Sequence, residues 1–339
     1  MSLLTIAIPT YNRREKLSRL IENLESQLAD PVLRGRVRIL VGDNASDDGT
    51  AEFLERGRAD RPGLTLKFHR HLSNIGALRN MIWLYEQCAT EYLWYFADDD
   101  LPLPGAVAKV VDVLESHRPR VLLFSFIQPP GSRERTFDFP ESVKFASAPD
   151  ECARLLARFP KISIYVYRRG ALTPSSQTFL KTVAEEGGFY HCALGVSLLE
   201  ADAGGQLAVI SEPLATCDAD FRLIRTSYAD WGQLYRVFEH PYLRQSAPAL
   251  AAEFSPRASY FSEIILLWAW RSGHLEIDAS FIDEYERAVR ALPLRLAWLA
   301  GDPAMLARAL VLRFLPARAP MAIHGWVRAC RGGLPGLKQ

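Results

Sequence analysis

Four short apolar runs, each punctuated by Pro, Gly or Asp and set between helical patterns, fill the first hundred residues and constrain the fold most. Leu3–Ile8 ("LLTIAI") is stopped by Pro9, and Leu17, Leu20, Ile21, Leu24 and Leu28 then recur at helical spacing. Val37–Gly42 ("VRILVG") runs into "DNASDDGT", a turn rich in Asp, Asn and Gly that opens a helix near Ala51. "LTLKFH", the helical "IGALRNMIWLYEQC" and "YLWYFA" complete the series. Continuous apolar strands separated by helices predict an α/β fold, a mostly parallel sheet sandwiched by helices. Such sheets take their ligands beyond the carboxyl ends of the strands. Asp43 and the run Asp98, Asp99 and Asp100 both fall at such ends.

Three neighbouring carboxylates repel one another, and each must stay hydrated or find a cation. Two arrangements satisfy that need. One is a solvated loop that starts a helix, where Asp is favoured. The other is a metal site whose further ligand is a phosphate. Pro102 and Pro104 are expected to close off any further strand.

The middle of the chain is less regular. "RVLLFSF" reads as a strand, Gln128–Pro149 as a long surface loop, "ISIYVYRR" as a strand, His191–Ala201 as a helix and "QLAVI" as a short strand. Beyond Phe221 the patterns turn helical. The expected division is 1–110, 111–220 and a helical extension over 221–339. Five scattered cysteines without a C-x-x-C pair predict neither a disulfide framework nor a zinc site, and suit a reducing compartment. No basic leader precedes the first apolar run, and no uncharged stretch has the length of a membrane span.

The net charge of +1 hides an asymmetry. From Arg287 to Gln339 there are nine Arg or Lys and one acid, Asp302, so 9 − 1 = +8. The remainder holds 31 basic and 38 acidic residues, so 31 − 38 = −7. In the tail, Arg295, Arg308, Arg313, Arg318, Arg328 and Arg331 are interleaved with Leu, Trp, Phe and Met. That pattern suits helices lying on an anionic membrane surface. It equally suits helices packed on the preceding domain or on a second subunit in a homo-oligomer. Trp298, Phe314 and Trp326 are too sparse for a nucleic-acid motif, so no nucleic acid is expected.

Four segments, "IPTYNR", "GDNASDDGT", "NIGALRN" and "FADDDLPLP", stand in an order and spacing that resembles the family-two glycosyltransferases, which have the GT-A fold. The resemblance is strong over the first 110 residues and weak over 110–220. It implies transfer of a sugar, with inversion, from a nucleoside-diphosphate sugar (UDP- or dTDP-type favoured) to a glycan or lipid-linked glycan acceptor. The setting implied is bacterial surface polysaccharide synthesis (O-antigen, capsule or exopolysaccharide) in the cytoplasm, or peripherally on the inner face of the cytoplasmic membrane. It also implies a DxD motif holding Mn2+ or Mg2+. Anchored on Pro104, the family pattern puts Ala97 where its first Asp stands and Asp99 at its second, a departure that Asp98 can make good. Asp99 is therefore the favoured ligand, with Asp98 facing ribose or metal and Asp100 as the other register.

Asp43 matches the family's aspartate that accepts from the base, and Pro9, Thr10 and Tyr11 match the wall around it. Asn74, Gly76 and Arg79 match the segment beside the nucleotide. Asp47 and Asp48 read as turn and cap residues. The family's general base opens a helix as a Glu-Asp pair, and this chain has none. The alignment lands on His191, with Glu186 and Glu185 as the alternative. Arg222, Arg225 and Ser227 stand where basic residues approach the diphosphate. The missing pair supports a second reading, a non-catalytic nucleotide-sugar- or glycan-binding module on the same fold. A dinucleotide-binding dehydrogenase is disfavoured, because no G-x-G-x-x-G follows the first strand. A sugar nucleotidyltransferase is disfavoured too, because "PTYNRR" stands in place of a glycine-rich loop.

Overall fold

The computed structural model describes residues 2–61, 63–127, 137, 139–158, 161–186, 189–202, 205–217 and 237–249. Met1–Ala219 and His240–Ala247 form one compact unit. Of the expected extension over 221–339 only 237–249 is described, including the short helix Pro241–Ser246. The basic tail helices and Arg222, Arg225 and Ser227 lie outside the described residues.

The expected alternation is present: β1 (Leu4–Thr10), α1 (Arg14–Gln27), α2 (Pro31–Arg36), β2 (Val37–Asp43), α3 (Thr50–Asp60), β3 (Leu66–Arg70), α4 (Ala77–Gln87) and β4 (Tyr92–Tyr95). Its cause is the burial that the periodicity encodes. Leu17, Leu20, Ile21, Leu24 and Leu28 of the α1 segment are all buried, and each contributes roughly 2 kcal/mol of apolar burial. All four residues of β4 are buried, as both-face coverage requires. The strands β3-β2-β1-β4 run parallel, so their carboxyl ends share one edge.

Then follow β5 (Leu101–Pro102), α5 (Ala106–His117), β6 (Val121–Ile127), β7 (Val143–Ala146), α6 (Pro149–Arg158), β8 (Tyr165–Arg168), α7 (Pro174–Glu186), α8 (Tyr190–Glu200) and β9 (Leu207–Thr216). The sheet order is β3-β2-β1-β4-β8-β6-β9-β5, with β7 also on β9. β8 enters antiparallel between β4 and β6. Three details differ from the sequence expectations. The prolines do not end strand formation: Leu101 and Pro102 pair antiparallel with Thr216 and Ala215 at the sheet edge. An edge position tolerates the missing N–H, and the Pro102 carbonyl instead accepts from Asn23 and Gln27 of α1. Within Gln128–Pro149, Val143–Ala146 is not loop but β7, recruited by β9. The strand at "QLAVI" continues to Thr216, because register shifts opposite Ser125 let it pass Pro213.

Trp94 ties this frame together. Its indole N–H donates to the Ser163 carbonyl at 2.7 Å, and its ring meets Phe96 and Phe124 edge-on. The turn Ile162–Ile164 is thereby fixed beneath the end of β4.

His240 fastens the helix Pro241–Ser246 and is fully buried. Its Nδ1 accepts the Tyr242 N–H at 3.2 Å, while Nε2 lies 3.0 Å from Ser197 Oγ and 3.2 Å from Ser176 Oγ. An imidazole that accepts a backbone N–H on Nδ1 carries its proton on Nε2 and is neutral. Burial pushes its pKa down to about 4, against the pull of Glu200. The unfolded chain binds that proton near the ordinary value of 6.5. This contribution is therefore complete above that pH and is lost as pH falls to about 4, by on the order of 3 kcal/mol. Urea unfolding at about pH 7 and about pH 4.5 should show this loss, and His240→Gln should remove most of the difference.

Candidate functional site

The parallel register sets Thr10 beside Asp43 and Asp43 beside Arg70 at the common carboxyl edge. Asp43 is fully buried. Its Oδ1 takes the Ser46 N–H at 3.0 Å and the Ser46 hydroxyl at 2.5 Å. This tight turn forces Ala45 to φ +64°, a left-handed conformation that costs a non-glycine residue about 1 kcal/mol. Asp43 Oδ2 is buried without a hydrogen bond, and Arg70 Nε stands 3.7 Å away. A buried acceptor left open in this way is costly until a ligand N–H fills it. Arg70 itself donates to the Ser46 carbonyl at 2.7 Å.

Neighbouring loops lock onto this turn. Asn12, at φ +51°, donates its N–H to Ser46 Oγ and accepts the Asp47 N–H on its side chain, both at 2.9 Å. Asp48 accepts from the Arg14 and Thr50 amides and the Thr50 hydroxyl, which is turn and cap chemistry. Asn44 Nδ2 donates to Asn74 Oδ1 at 2.7 Å, and the same oxygen accepts the Gly76 N–H. Gly76 has φ +88° and ψ 152° as α4 begins, a region essentially confined to glycine. Arg79 is exposed on the first turn of that helix. Tyr11 is half exposed beyond Thr10, and Pro9 lies opposite Gly42 in the register.

The three carboxylates divide into different environments. Asp98 is only 4% exposed: Thr10 Oγ1 donates to its Oδ2 at 2.7 Å and Arg13 Nη1 to its Oδ1 at 2.9 Å. The same Arg13 nitrogen donates to Asp99 Oδ2 at 2.8 Å, and Lys16 Nζ lies 3.8 Å from that oxygen. Asp99 is the most open of the three, at 21%. Asp100 is turned inward, where Ser163 Oγ donates to its Oδ2 at 2.5 Å while accepting the Ala97 N–H. Burial, with Asp100 alongside, keeps the Cys217 thiol protonated well above its ordinary pKa. Burial also pushes the Asp98 carboxyl upward, against Arg13 and Thr10. For Arg13, burial works against the charge, yet Asp98 and Asp99 outweigh it and raise the guanidinium.

Among the described residues, no group of three or more His, Cys, Asp or Glu is arranged to hold a metal ion. Asp98 and Asp99 nonetheless offer the hard oxygens that Mg2+ or Mn2+ take, and such ions commonly use one or two carboxylates plus substrate phosphates. The donor chemistry of the pair fits.

The base candidates lie further off. His191, second residue of α8, is buried edge-on to Tyr165 (5.0 Å) and Phe189 (5.6 Å), and its carbonyl accepts the Tyr167 hydroxyl at 2.6 Å. Tyr165 opens β8 two residues after Ser163, whose hydroxyl holds Asp100. Glu185, in the last turn of α7, is exposed and pairs with Lys181 of its own helix at 3.8 Å. Glu186 closes that helix.

Sequence reasoning missed Arg13, Ser46, Ser163 and Asn80. Asn80 is buried, donates to the Gly42 carbonyl at 2.7 Å and meets His71 Nε2 at 3.1 Å. A Cβ on Gly42 would stand 2.3 Å from its Oδ1. Arg13, Ser46 and Asn80 lie inside the quoted segments, so their neighbourhood was visible; Ser163 gave no local signal. Gly42→Ala should cost about 1–3 kcal/mol of stability. Urea unfolding of a variant with an intact circular dichroism spectrum checks this.

Residues 5–169 match the family model described as glycosyl transferase family 2. The chain is 30% identical over 114 residues to abequosyltransferase RfbV of Salmonella typhimurium, covering 34% of this chain and 33% of that protein. The match thus spans about a third of that relative. S. aureus TarS 1–349 in complex with UDP-GlcNAc superposes with a TM-score of 0.60 at 16% identity, covering 92% of this chain and 88% of that one. Mannosyltransferase PcManGT from Pyrobaculum calidifontis, in complex with GDP-Man and Mn2+, superposes at 0.50 with 18% identity, over 91% and 86%.

Proposed function

We propose that this chain, which has the GT-A fold and matches glycosyl transferase family 2 over residues 5–169, is a metal-dependent inverting transferase acting on a nucleoside-diphosphate sugar. The observation that carries this reading is the Asp98–Asp99 pair, placed at the carboxyl edge of parallel strands next to the open Asp43 oxygen. The nucleotide-sugars bound by the two structural neighbours support the donor class. The acceptor class, a glycan or lipid-linked glycan of a bacterial surface polysaccharide, is supported by likeness to the Salmonella abequosyltransferase. Action on such an acceptor fits an enzyme working at the inner face of the cytoplasmic membrane. Among the described residues, no helix is long and apolar enough to cross a membrane.

Each residue has a role in this reading. Asp43 Oδ2 accepts an N–H from the base, flanked by Tyr11 and Pro9. Its other oxygen is committed to Ser46. A single open acceptor suits uracil or thymine, each with one ring N–H between two carbonyls, and favours a UDP- or dTDP-sugar. Asn74, Gly76 and Arg79 border the nucleotide. Asp99, with Asp98, would hold Mn2+ or Mg2+, which neutralises the charge developing on the leaving diphosphate. Asp100, hydrogen-bonded to Ser163, fixes the turn that presents them.

His191 at the start of α8 takes the proton of the attacking acceptor hydroxyl, the task of a general base. Glu186, with Glu185, is the alternative. A second reading, a module that binds nucleotide-sugars without turnover, is favoured by one observation: the first turn of α8 has no acidic residue.

Release of nucleoside diphosphate from a panel of UDP- and dTDP-sugars, with and without Mn2+, separates the two readings. Asp99→Asn should reduce turnover by about 10²-fold or more with its melting temperature kept, since metal positioning is lost. A wild-type rate for that variant without metal would remove the assignment. His191→Ala should lower turnover by about 10²-fold with nucleotide affinity unchanged. The wild-type rate should fall on acidification, because a protonated imidazole cannot accept the acceptor's proton. A normal rate beside an inactive Glu186→Gln transfers the role to the glutamate.

A further inference from the structure

Arg13 occupies the place that a cation at the carboxylate pair needs. One nitrogen, Nη1, lies 2.9 Å from Asp98 Oδ1 and 2.8 Å from Asp99 Oδ2, so the guanidinium spans both carboxylates. Thr10 takes the remaining oxygen of Asp98, and Lys16 adds a second positive charge 3.8 Å from Asp99. Two carboxylates facing two cationic side chains are already neutral. A divalent ion entering beside them would leave an excess of two positive charges, unless negative charge came with it or Arg13 moved away.

Arg13 is equipped to move. Its backbone is held where α1 begins, but its side chain is 37% exposed. Rotation of the side chain therefore releases the pair without disturbing the loop. A guanidinium freed at that point is a strong, forked donor for phosphate oxygens.

We propose that Arg13 is a built-in counter-ion for Asp98 and Asp99, which yields the pair to a divalent ion only when a nucleoside diphosphate arrives to receive the displaced guanidinium. The inference rests on the reading of Asp98 and Asp99 as the metal-facing pair. Arg13 then suppresses metal loading of the empty enzyme and couples ion and nucleotide into one binding event. Such coupling is reciprocal, so the ion must strengthen nucleotide binding by the factor by which nucleotide strengthens ion binding.

Mn2+ binding to the full-length protein, followed by the electron paramagnetic resonance signal of the free ion, tests this without any turnover. Wild type should bind Mn2+ weakly alone and about tenfold or more tightly with saturating UDP. Arg13→Gln should bind Mn2+ alone about tenfold more tightly than wild type, and the further gain from UDP should be smaller than in wild type. Arg13→Lys keeps the charge and should stay near wild type. Absence of Mn2+–UDP coupling in wild type overturns the proposal without any variant. So does Arg13→Gln binding Mn2+ alone no better than wild type, while Asp99→Asn still abolishes binding; the metal-site reading then stands. Mn2+ binding unaffected by Asp99→Asn removes the metal-site reading and the proposal with it.

Discussion

Negative charge gathered at the end of a buried strand has to be neutralised before this fold can close. β4 is buried throughout and delivers Asp98, Asp99 and Asp100 within five residues of its last member. Two of those carboxylates are nearly inaccessible to water, where an isolated charge would cost several kcal/mol. Thr10 and Arg13 at the end of β1 answer Asp98, Arg13 and Lys16 answer Asp99, and Ser163 answers Asp100. The loop after β1, the start of α1 and the turn before β8 are therefore all anchored by the same need.

This shared anchoring links packing to chemistry. Trp94 fixes Ser163, Ser163 turns Asp100 inward, and the turn is left with Asp99 facing outward. Asp43 is served in the same way: Ser46 satisfies one oxygen and leaves the other open. At Asp43 this leaves one buried oxygen without a hydrogen bond, next to Ala45 in its left-handed conformation.

The two halves of the sheet have different physics. The parallel half, β3-β2-β1-β4, is dictated by continuous apolar runs and puts Thr10, Asp43 and the Asp98–Asp100 run on one edge. The other half depends on β9, a ten-residue strand that collects β6, β7 and β5 and reaches Thr216 only through register shifts beside Pro213. α8, buried almost throughout, packs against β8 and β6, where His191 meets the Tyr165 ring edge-on.

The sequence by itself determined the strand–helix alternation, the apolar face of α1 and the placement of Asp43 and Asp98–Asp100 at strand ends. These follow from hydrophobic period and from Pro, Gly and Asp punctuation, which act over a few residues. Only the tertiary structure decided which cation or hydroxyl each carboxylate meets. Arg13 lies 85 residues from Asp98, and Ser163 lies 63 from Asp100. It also decided that Val143–Ala146 and Leu101–Pro102 become strands, since both are recruited by β9. Local pattern encodes which side of an element is buried. It does not encode the partner of a buried charge, because that partner is chosen when distant strand ends are brought to one edge and water is excluded between them.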